Sequence, residues 1–166
     1  MKRMLITLIS LFILVGCSAK ETFETVDDTR TQPVMAPMGQ LELQLPNEAV
    51  TPTMDHSENG KIYLCDGYTV MVQTFPAGDL NGTLQQVTGF SREALTLMET
   101  RQNGITRYEC AWSAMGEGEN QVCRCAVLDD GNHHYVVTVM APESMAGAYL
   151  EPWRNLMASI TLRSTD

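Results

Sequence analysis

The sequence predicts an α+β fold: an antiparallel sheet, made of a four-strand meander plus N-terminal strands, with a C-terminal amphipathic helix packed on one face. Three observations predict it. Apolar and polar residues alternate over residues 41–45, turn signals recur between β-rich stretches after residue 100, and an apolar stripe at helical spacing closes the chain. Because each element must bury an apolar face, we expect the helices to lie together on one face of the sheet.

The first strands are predicted between residues 41 and 75. The repeat Leu-Glu-Leu-Gln-Leu over residues 41–45 indicates a half-buried strand that ends before the next proline. After a loop-like stretch, residues 61–65 and 68–75 predict two short strands. The turn between them is Asp66-Gly67, a dipeptide typical of tight hairpins.

A short helix and a further strand follow. Residues 79–89 predict the helix, with Asp79 as its N-cap and Gly89 as the residue that ends it. Residues 94–101 are compatible with helix or strand, but Asn103-Gly104 comes directly after them. Because Asn-Gly readily adopts the positive φ angles of a type I′ hairpin turn, we assign residues 94–101 to a strand.

The rest of the meander is delimited by two more turn signals. Turn-forming residues over 116–120 and 129–132 separate the β-rich stretches 105–114, 121–128 and 133–141. Connections this short make neighbouring strands antiparallel, so these stretches and residues 94–101 predict the four-strand meander.

The chain closes with a predicted helix over residues 143–160. Pro152 should kink it or split it into two pieces. Its apolar stripe, at steps of three and four, consists of Met145, Tyr149, Trp153, Leu156, Met157 and Ile160.

The first sixteen residues have the parts of an export signal. Two basic residues precede an apolar run of about a dozen residues, which is shorter than the roughly 20 residues needed to span a bilayer. Residues 14–17, Leu-Val-Gly-Cys, resemble the bacterial lipobox. The resemblance implies that the Cys17 thiol receives a diacylglyceryl group, that the chain is cut before Cys17, and that the new amine is often acylated, with palmitate as the expected chain. An ordinary secreted protein or an uncleaved anchor is the alternative.

The lipoprotein interpretation divides the chain into three parts: a signal peptide over residues 1–16, the lipidated Cys17 with a flexible tether over 17–38, and one globular domain over 39–166. The protein would be lipid-anchored on the extracytoplasmic face of the cell membrane or the outer membrane. Ser18, rather than aspartate, follows the cysteine and would not signal inner-membrane retention.

The charge excludes one class of partner. The full chain has a net charge of −9, and removal of residues 1–16 leaves 9 basic against 20 acidic residues, a net charge of −11. Such a surface repels phosphate backbones, so nucleic acid is not an expected partner. The membrane, through the lipid on Cys17, and an envelope protein or a small ligand are the partners that we expect.

Four cysteines remain in the mature chain, Cys65, Cys110, Cys123 and Cys125. An even number in an exported chain predicts two disulfides. A hairpin centred near residue 118 places Cys110 opposite residue 125 or 126, so one bridge should join Cys110 to Cys123 or Cys125. The second should join Cys65 to the cysteine left over. The alternatives are a metal site formed by all four cysteines and a redox pair at Cys123-Arg124-Cys125, although the Cys-x-Cys spacing fits neither motif.

No catalytic motif and no cofactor motif is present, so we predict a binding module rather than an enzyme. The chain has neither a Gly-x-Ser-x-Gly elbow nor a His-Glu-x-x-His motif. The alternative is an enzyme or a weak transition-metal site centred on His133 and His134, with Asp129, Asp130 and Met140 nearby.

The order of elements resembles the PsbP-like fold, which includes small bacterial lipoproteins. The opening "LELQLP" and the closing "YVVTVMAPESMAGAYLEPWRNLMASI", a strand followed by an amphipathic helix, carry the resemblance over about residues 41–162. The four cysteines depart from the family pattern. The resemblance implies an adaptor or assembly role and no shared catalytic residues.

Overall fold

The computed structural model describes residues 38–49, 60–116 and 118–163, and these form an α+β fold, as predicted. Eight strands and two α-helices occur within these residues. The strands are β1 (Gln40–Glu42), β2 (Gly60–Cys65), β3 (Tyr68–Pro76), β4 (Met98–Gln102), β5 (Ile105–Met115), β6 (Asn120–Asp129), β7 (His133–Pro142) and β8 (Thr161–Arg163). The helices are α1 (Leu80–Thr88) and α2 (Leu150–Ser159), and short 3₁₀ segments cover Arg92–Ala94 and Ala146–Tyr149.

Six of these strands form one antiparallel sheet in the order β2-β3-β7-β6-β5-β4. The predicted meander, β4 to β7, is confirmed. The predicted opening strand is shorter than expected, because only residues 40–42 enter a ladder. Their partner is β8, a strand that the sequence analysis missed, and Leu41 lies opposite Leu162 in this small second sheet.

The hairpin turns form where the sequence places them. Asn103 and Gly104, between β4 and β5, have φ angles of 51° and 80°, which are the positive values that a two-residue I′ turn requires. Between β5 and β6 the turn sets the register so that Cys110 lies directly opposite Cys125. Of the two opposite positions predicted for Cys110, 125 and 126, the structure selects Cys125.

The caps of α1 are those predicted. The Asp79 side chain accepts a hydrogen bond from the backbone N–H of Asn81 at 3.1 Å. Gly89 ends the helix in the left-handed conformation, at a φ of 80°, and its N–H donates to the Gln85 carbonyl. Both contacts satisfy backbone groups that a helix end leaves without an intrahelical partner.

One face of the large sheet, which we call the α2 face, packs against the C-terminal helix. Trp153, Leu156 and Met157 of α2 and the following Ile160 are buried. They join the buried sheet residues Tyr68, Val70, Ala126, Leu128, Tyr135, Val137, Val139 and Ala141 in one core cluster. The predicted packing of the C-terminal helix on one face of the sheet is confirmed.

The opposite face, which we call the α1 face, packs against the short helix. Leu84 of α1 is fully buried and lies in a second core cluster with Cys125, Val127 and Val136. The expectation that the helices share one face was therefore wrong. The physical reason is visible in β7, where almost every residue is buried. A strand that is apolar on both sides needs cover on both sides.

The C-terminal helix begins later than predicted. A 3₁₀ segment covers Ala146–Tyr149, and α2 starts at Leu150, so Pro152 is its third residue. There the missing N–H of proline costs nothing, because first-turn N–H groups have no intrahelical acceptor. Met145 precedes both segments and is 45% exposed. The prediction that it belongs to the buried stripe was therefore wrong.

The predicted signal peptide over residues 1–16 and the lipidated Cys17 lie outside the described residues, as does the predicted tether over 17–38 apart from Met38. Within the described ranges, neither helix has the length and apolar character needed to cross a bilayer.

Candidate functional site

The larger of two cavities on the α2 face opens where β4 and β5 meet the end of α2. Its volume is about 460 Å³, within the range typical of sites for small ligands. We call it the β4–β8 cavity. It is lined by Thr100, Gln102, Asn103, Ile105, Arg107, Leu128, Ile160, Thr161 and Leu162.

Strand alternation explains this lining. Thr100 and Gln102 of β4 and Ile105 and Arg107 of β5 all point to the α2 face, because side chains two residues apart share a face. Thr161 and Leu162 enter from the other side, where the chain leaves α2 and forms β8. The walls therefore come from three separate parts of the sequence.

A smaller cavity, of about 270 Å³, lies at the other end of α2. Leu150 and Trp153 of the helix form one wall, and Met98 is on the sheet side. Leu150 is 59% exposed and Met98 is 54% exposed. This end of the α2 face therefore presents apolar side chains to solvent.

Between the two cavities, an ionic cluster crosses β5 and β6. The Arg107 Nε donates to a Glu109 carboxylate oxygen at 2.8 Å, and an Arg124 guanidinium nitrogen lies 3.5 Å from the other oxygen. A second Arg107 nitrogen donates to the backbone carbonyl of Met157 at 2.6 Å. This carbonyl is in the last turn of α2, where a cation is favoured by the helix dipole. Arg107 therefore holds the end of α2 against the sheet.

The β4–β8 cavity offers hydrogen bonding and apolar contact rather than proton transfer. Among the described residues that line it, Arg107 alone carries an ionisable side chain. That side chain is already paired with Glu109 and Met157. The other groups are hydroxyls, amides and aliphatic chains, which can orient a ligand by hydrogen bonds and apolar contact.

His133 and His134 do not form the alternative metal site. Being adjacent in β7, they point to opposite faces of the sheet, and both are buried, at 3% and 2% exposure. The Nδ1 of His134 shares a hydrogen bond with the Thr83 hydroxyl of α1 at 2.7 Å. Its Nε2 lies 3.8 Å from an Asp129 carboxylate oxygen.

Asp130 serves a structural purpose in the turn before β7. Its carboxylate accepts hydrogen bonds from the backbone N–H groups of Asn132 and His133, at 2.8 and 2.7 Å, and from the Tyr135 hydroxyl at 3.1 Å. Partial burial favours a raised pKa, but these hydrogen bonds hold the pKa of Asp130 below its ordinary value. The Tyr135 hydroxyl also accepts from the Gly39 N–H at 2.6 Å.

The four residues named for the metal alternative therefore do not converge on one point: Asp129 lies near His134, and Asp130 accepts from the His133 backbone. Within the part of the chain that the structure describes, no three side chains of His, Cys, Asp or Glu are placed to hold a metal ion. The hypothesis of a site formed by His133, His134, Asp129 and Asp130 is corrected accordingly, because strand alternation divides the two imidazoles between the faces.

Cys110 and Cys125 form a close pair on the α1 face. Their sulfur atoms lie 3.4 Å apart, and all four described cysteines are free thiols in this structure. The hydrogen bond from the Cys125 thiol lowers the pKa of Cys110, and the same hydrogen bond, together with burial, raises the pKa of Cys125. This pairing is one of the two that the sequence analysis left open.

The second predicted disulfide, which would then join Cys65 to Cys123, does not fit the sheet. Cys65 packs on the α2 face, whereas Cys123 shares the α1 face with Cys125. Strands β3 and β7 also separate β2 from β6. That spacing is about 14 Å, far beyond the reach of a disulfide. Burial raises the pKa of Cys123, and the pKa of Cys65 is raised for the same reason.

Neither cavity was predicted from the sequence, although Ile160 and Trp153 were predicted to belong to the apolar stripe of the C-terminal helix. The shared face of Arg107 and Glu109 was readable from their spacing of two in a predicted strand. The contact of Arg107 with the Met157 carbonyl was not, because it joins positions 50 residues apart. Thr100, Gln102 and Thr161 carry no sequence signal beyond their polarity.

Comparisons with known proteins identify the fold. No family model matches the chain, and no curated protein sequence matches it. The solution structure of cyanobacterial PsbP from Synechocystis sp. PCC 6803 is similar, with a TM-score of 0.53 and 10% identity over 78% of this chain and 95% of that one. A Pseudomonas aeruginosa protein, PA94, a putative regulator, has a TM-score of 0.50 and 14% identity over 76% of this chain and all of that one.

A third similar structure is from Bacteroides thetaiotaomicron VPI-5482, with a TM-score of 0.49 and 11% identity over 75% of this chain. This chain spans only 45% of that protein. At these identities the likenesses show the fold alone. The resemblance to the PsbP-like fold predicted from the sequence is thus supported at the level of the fold.

Proposed function

We propose that this protein is a non-enzymatic binding or adaptor module of the cell envelope, tethered to a membrane through lipid on Cys17. It binds a segment of an envelope protein or a small ligand in the β4–β8 cavity. The observation that carries the proposal is the chemistry of that cavity, whose described lining provides hydroxyls, amides and aliphatic surface and whose one cation is already paired.

Two further observations support a binding role. The exposed apolar side chains Met98 and Leu150 lie on the same face as the β4–β8 cavity, so a partner can extend its contact along α2. The strongly acidic mature chain favours a partner whose contacting surface is neutral or basic.

The membrane part of the proposal depends on residues 14–17. Two or three acyl chains attach a protein stably, because each buried CH₂ group contributes about 0.8 kcal/mol and one chain alone is marginal. Substitution Cys17→Ala should leave the unprocessed precursor and abolish the incorporation of an alkyne-labelled fatty acid.

Site-specific photocrosslinking tests the cavity. Gln102, which lines it, is replaced with p-benzoyl-phenylalanine, and cells expressing this variant are irradiated. The matched control carries the same replacement at Gln86, an exposed glutamine of α1 on the other side of the sheet. We expect a discrete adduct from position 102 and none from position 86.

A second substitution tests whether the adduct depends on the cavity. Thr161→Trp fills it from the β8 side and should abolish the adduct from position 102. Equal crosslinking from positions 102 and 86, or an adduct that persists with Thr161→Trp in a folded protein, would refute binding in this cavity.

A further inference from the structure

We propose that Cys110 and Cys125 form the single intrachain disulfide of the mature protein, and that Cys65 and Cys123 remain thiols. This rests on the proposed extracytoplasmic location, since only an oxidising compartment preserves such a bond. It differs from the two-bridge arrangement expected from the cysteine count.

The sheet holds the pair in position for the bond. Cys110 of β5 and Cys125 of β6 are directly opposite in the antiparallel ladder, and their sulfur atoms are 3.4 Å apart. Opposite residues in antiparallel strands have Cα atoms about 4.5–5.5 Å apart. A disulfide requires about 4.4–6.8 Å, so the bond needs side-chain adjustment and no change of register.

The same register excludes the other pairings. Cys123 lies opposite Trp112 on one side and Met140 on the other, so it has no cysteine across the ladder. Cys65 is on the other face of the sheet. Cys123 is 3% exposed, which protects its thiol from partners outside the chain once the protein has folded.

The oxidation proceeds by thiol–disulfide exchange with a disulfide oxidant, for which oxidised glutathione is the probe. The thiolate of one cysteine attacks the glutathione disulfide and releases one glutathione. The thiolate of the other then attacks the mixed disulfide and releases the second. The two thiol protons pass to the two glutathione thiolates released, and the glutathione disulfide takes up the two electrons. Because Cys110 and Cys125 are only 5% and 0% exposed, this step accompanies formation of the β5–β6 hairpin, before α1 covers it.

Peptide mapping tests the pairing in the full-length protein purified from membranes. Free thiols are blocked with N-ethylmaleimide in denaturant, and the chain is cut with trypsin and a glutamate-specific protease. Cleavage after Arg124 separates Cys123 from Cys125, and cleavage after Glu119 separates Cys110 from Cys123. We expect the Cys110 and Cys125 peptides to be joined, and Cys65 and Cys123 to be alkylated. Alkylated Cys110 and Cys125, or any other joined pair, would overturn the proposal.

Two variants provide a second readout. Cys123→Ser should retain the bond, so that dithiothreitol lowers the urea midpoint of this variant as it does that of the wild type. Cys110→Ser cannot form the bond, and dithiothreitol should leave its midpoint unchanged. Equal responses of the two variants would contradict the assignment.

The experiments distinguish a failure of the proposed lipid anchor from a failure of the proposed disulfide. If lipid is present on Cys17 but Cys110 and Cys125 are alkylated, the disulfide proposal fails alone. If the lipid is absent, the protein is unfolded and refolded in a glutathione redox buffer. A Cys110–Cys125 bond formed there supports the pairing while the lipid anchor is rejected, whereas two alkylated cysteines reject the pairing as well.

Discussion

Packing of α2 on the sheet makes the sharpest stability prediction, because the helix contains two leucines with opposite environments. Leu156 is 3% exposed, in the core of the α2 face, whereas Leu150 is 59% exposed. Leu156→Ala removes buried methyl groups and leaves a cavity among Trp153, Met157 and the sheet. Substitutions of this kind cost about 2–5 kcal/mol, whereas surface changes stay within about 0.5 kcal/mol.

Urea unfolding followed by circular dichroism measures the difference. With a denaturant slope of about 2 kcal/mol/M, a loss of about 3 kcal/mol lowers the midpoint by roughly 1.5 M for Leu156→Ala. The matched control, Leu150→Ala, makes the same chemical change in the same helix and should shift the midpoint by about 0.3 M or less. Equal shifts for the two variants would refute the placement of α2 against the sheet.

Two further predictions concern polar groups. Thr83→Val leaves the buried Nδ1 of His134 without its described partner and should lower the free energy of unfolding by about 1–3 kcal/mol. Thr138→Val removes a buried hydroxyl that has no hydrogen-bond partner among the described residues, so this variant should be as stable as the wild type or more stable. Urea unfolding measures both variants, and equal losses of stability in the two would contradict this prediction. Asp130 has a folded-state pKa held below its usual value of 3.8, so its stabilising contribution is complete above about pH 4 and is lost as the pH falls through the folded pKa. The wild type should therefore lose more stability than Asp130→Asn between about pH 5 and pH 2.5, and parallel losses in urea titrations at the two pH values would show that Asp130 contributes nothing to acid sensitivity.

Local signals predicted the elements of this fold well because their causes are local. Asp79 and Gly89 bound α1 through contacts within four residues of their own positions. Asn103 and Gly104 adopt positive φ without help from the rest of the molecule. The turn between β5 and β6 predicted residue 125 or 126 opposite Cys110, and the structure places Cys125 there.

Features that depend on distant parts of the chain were missed. Strand β8 is three residues long and exists because it pairs with β1, about 120 residues earlier. The side of the sheet on which α1 packs is decided by apolar residues on both faces of β6 and β7. Because the sheet was predicted to have one apolar face, the packing of α1 on the opposite face could not be predicted.

The candidate site was missed for the same reason. Arg107 is recognisable as an important residue only when the Met157 carbonyl and Glu109 are seen beside it. For His133 and His134 the error was the opposite one, because a shared site was suggested where the described residues form none. Their adjacency in sequence suggested a shared site, whereas adjacency within a strand places side chains on opposite faces.

Lipid on Cys17 is the premise for the location, the tether and the oxidised cysteine pair, and intact-mass analysis of the protein extracted from its native membrane tests it most directly. We expect a chain that begins at Cys17 and carries a diacylglyceryl group, with or without a further acyl chain on its amine. A mass that includes residues 1–16, or a chain without lipid, would contradict membrane tethering through this cysteine.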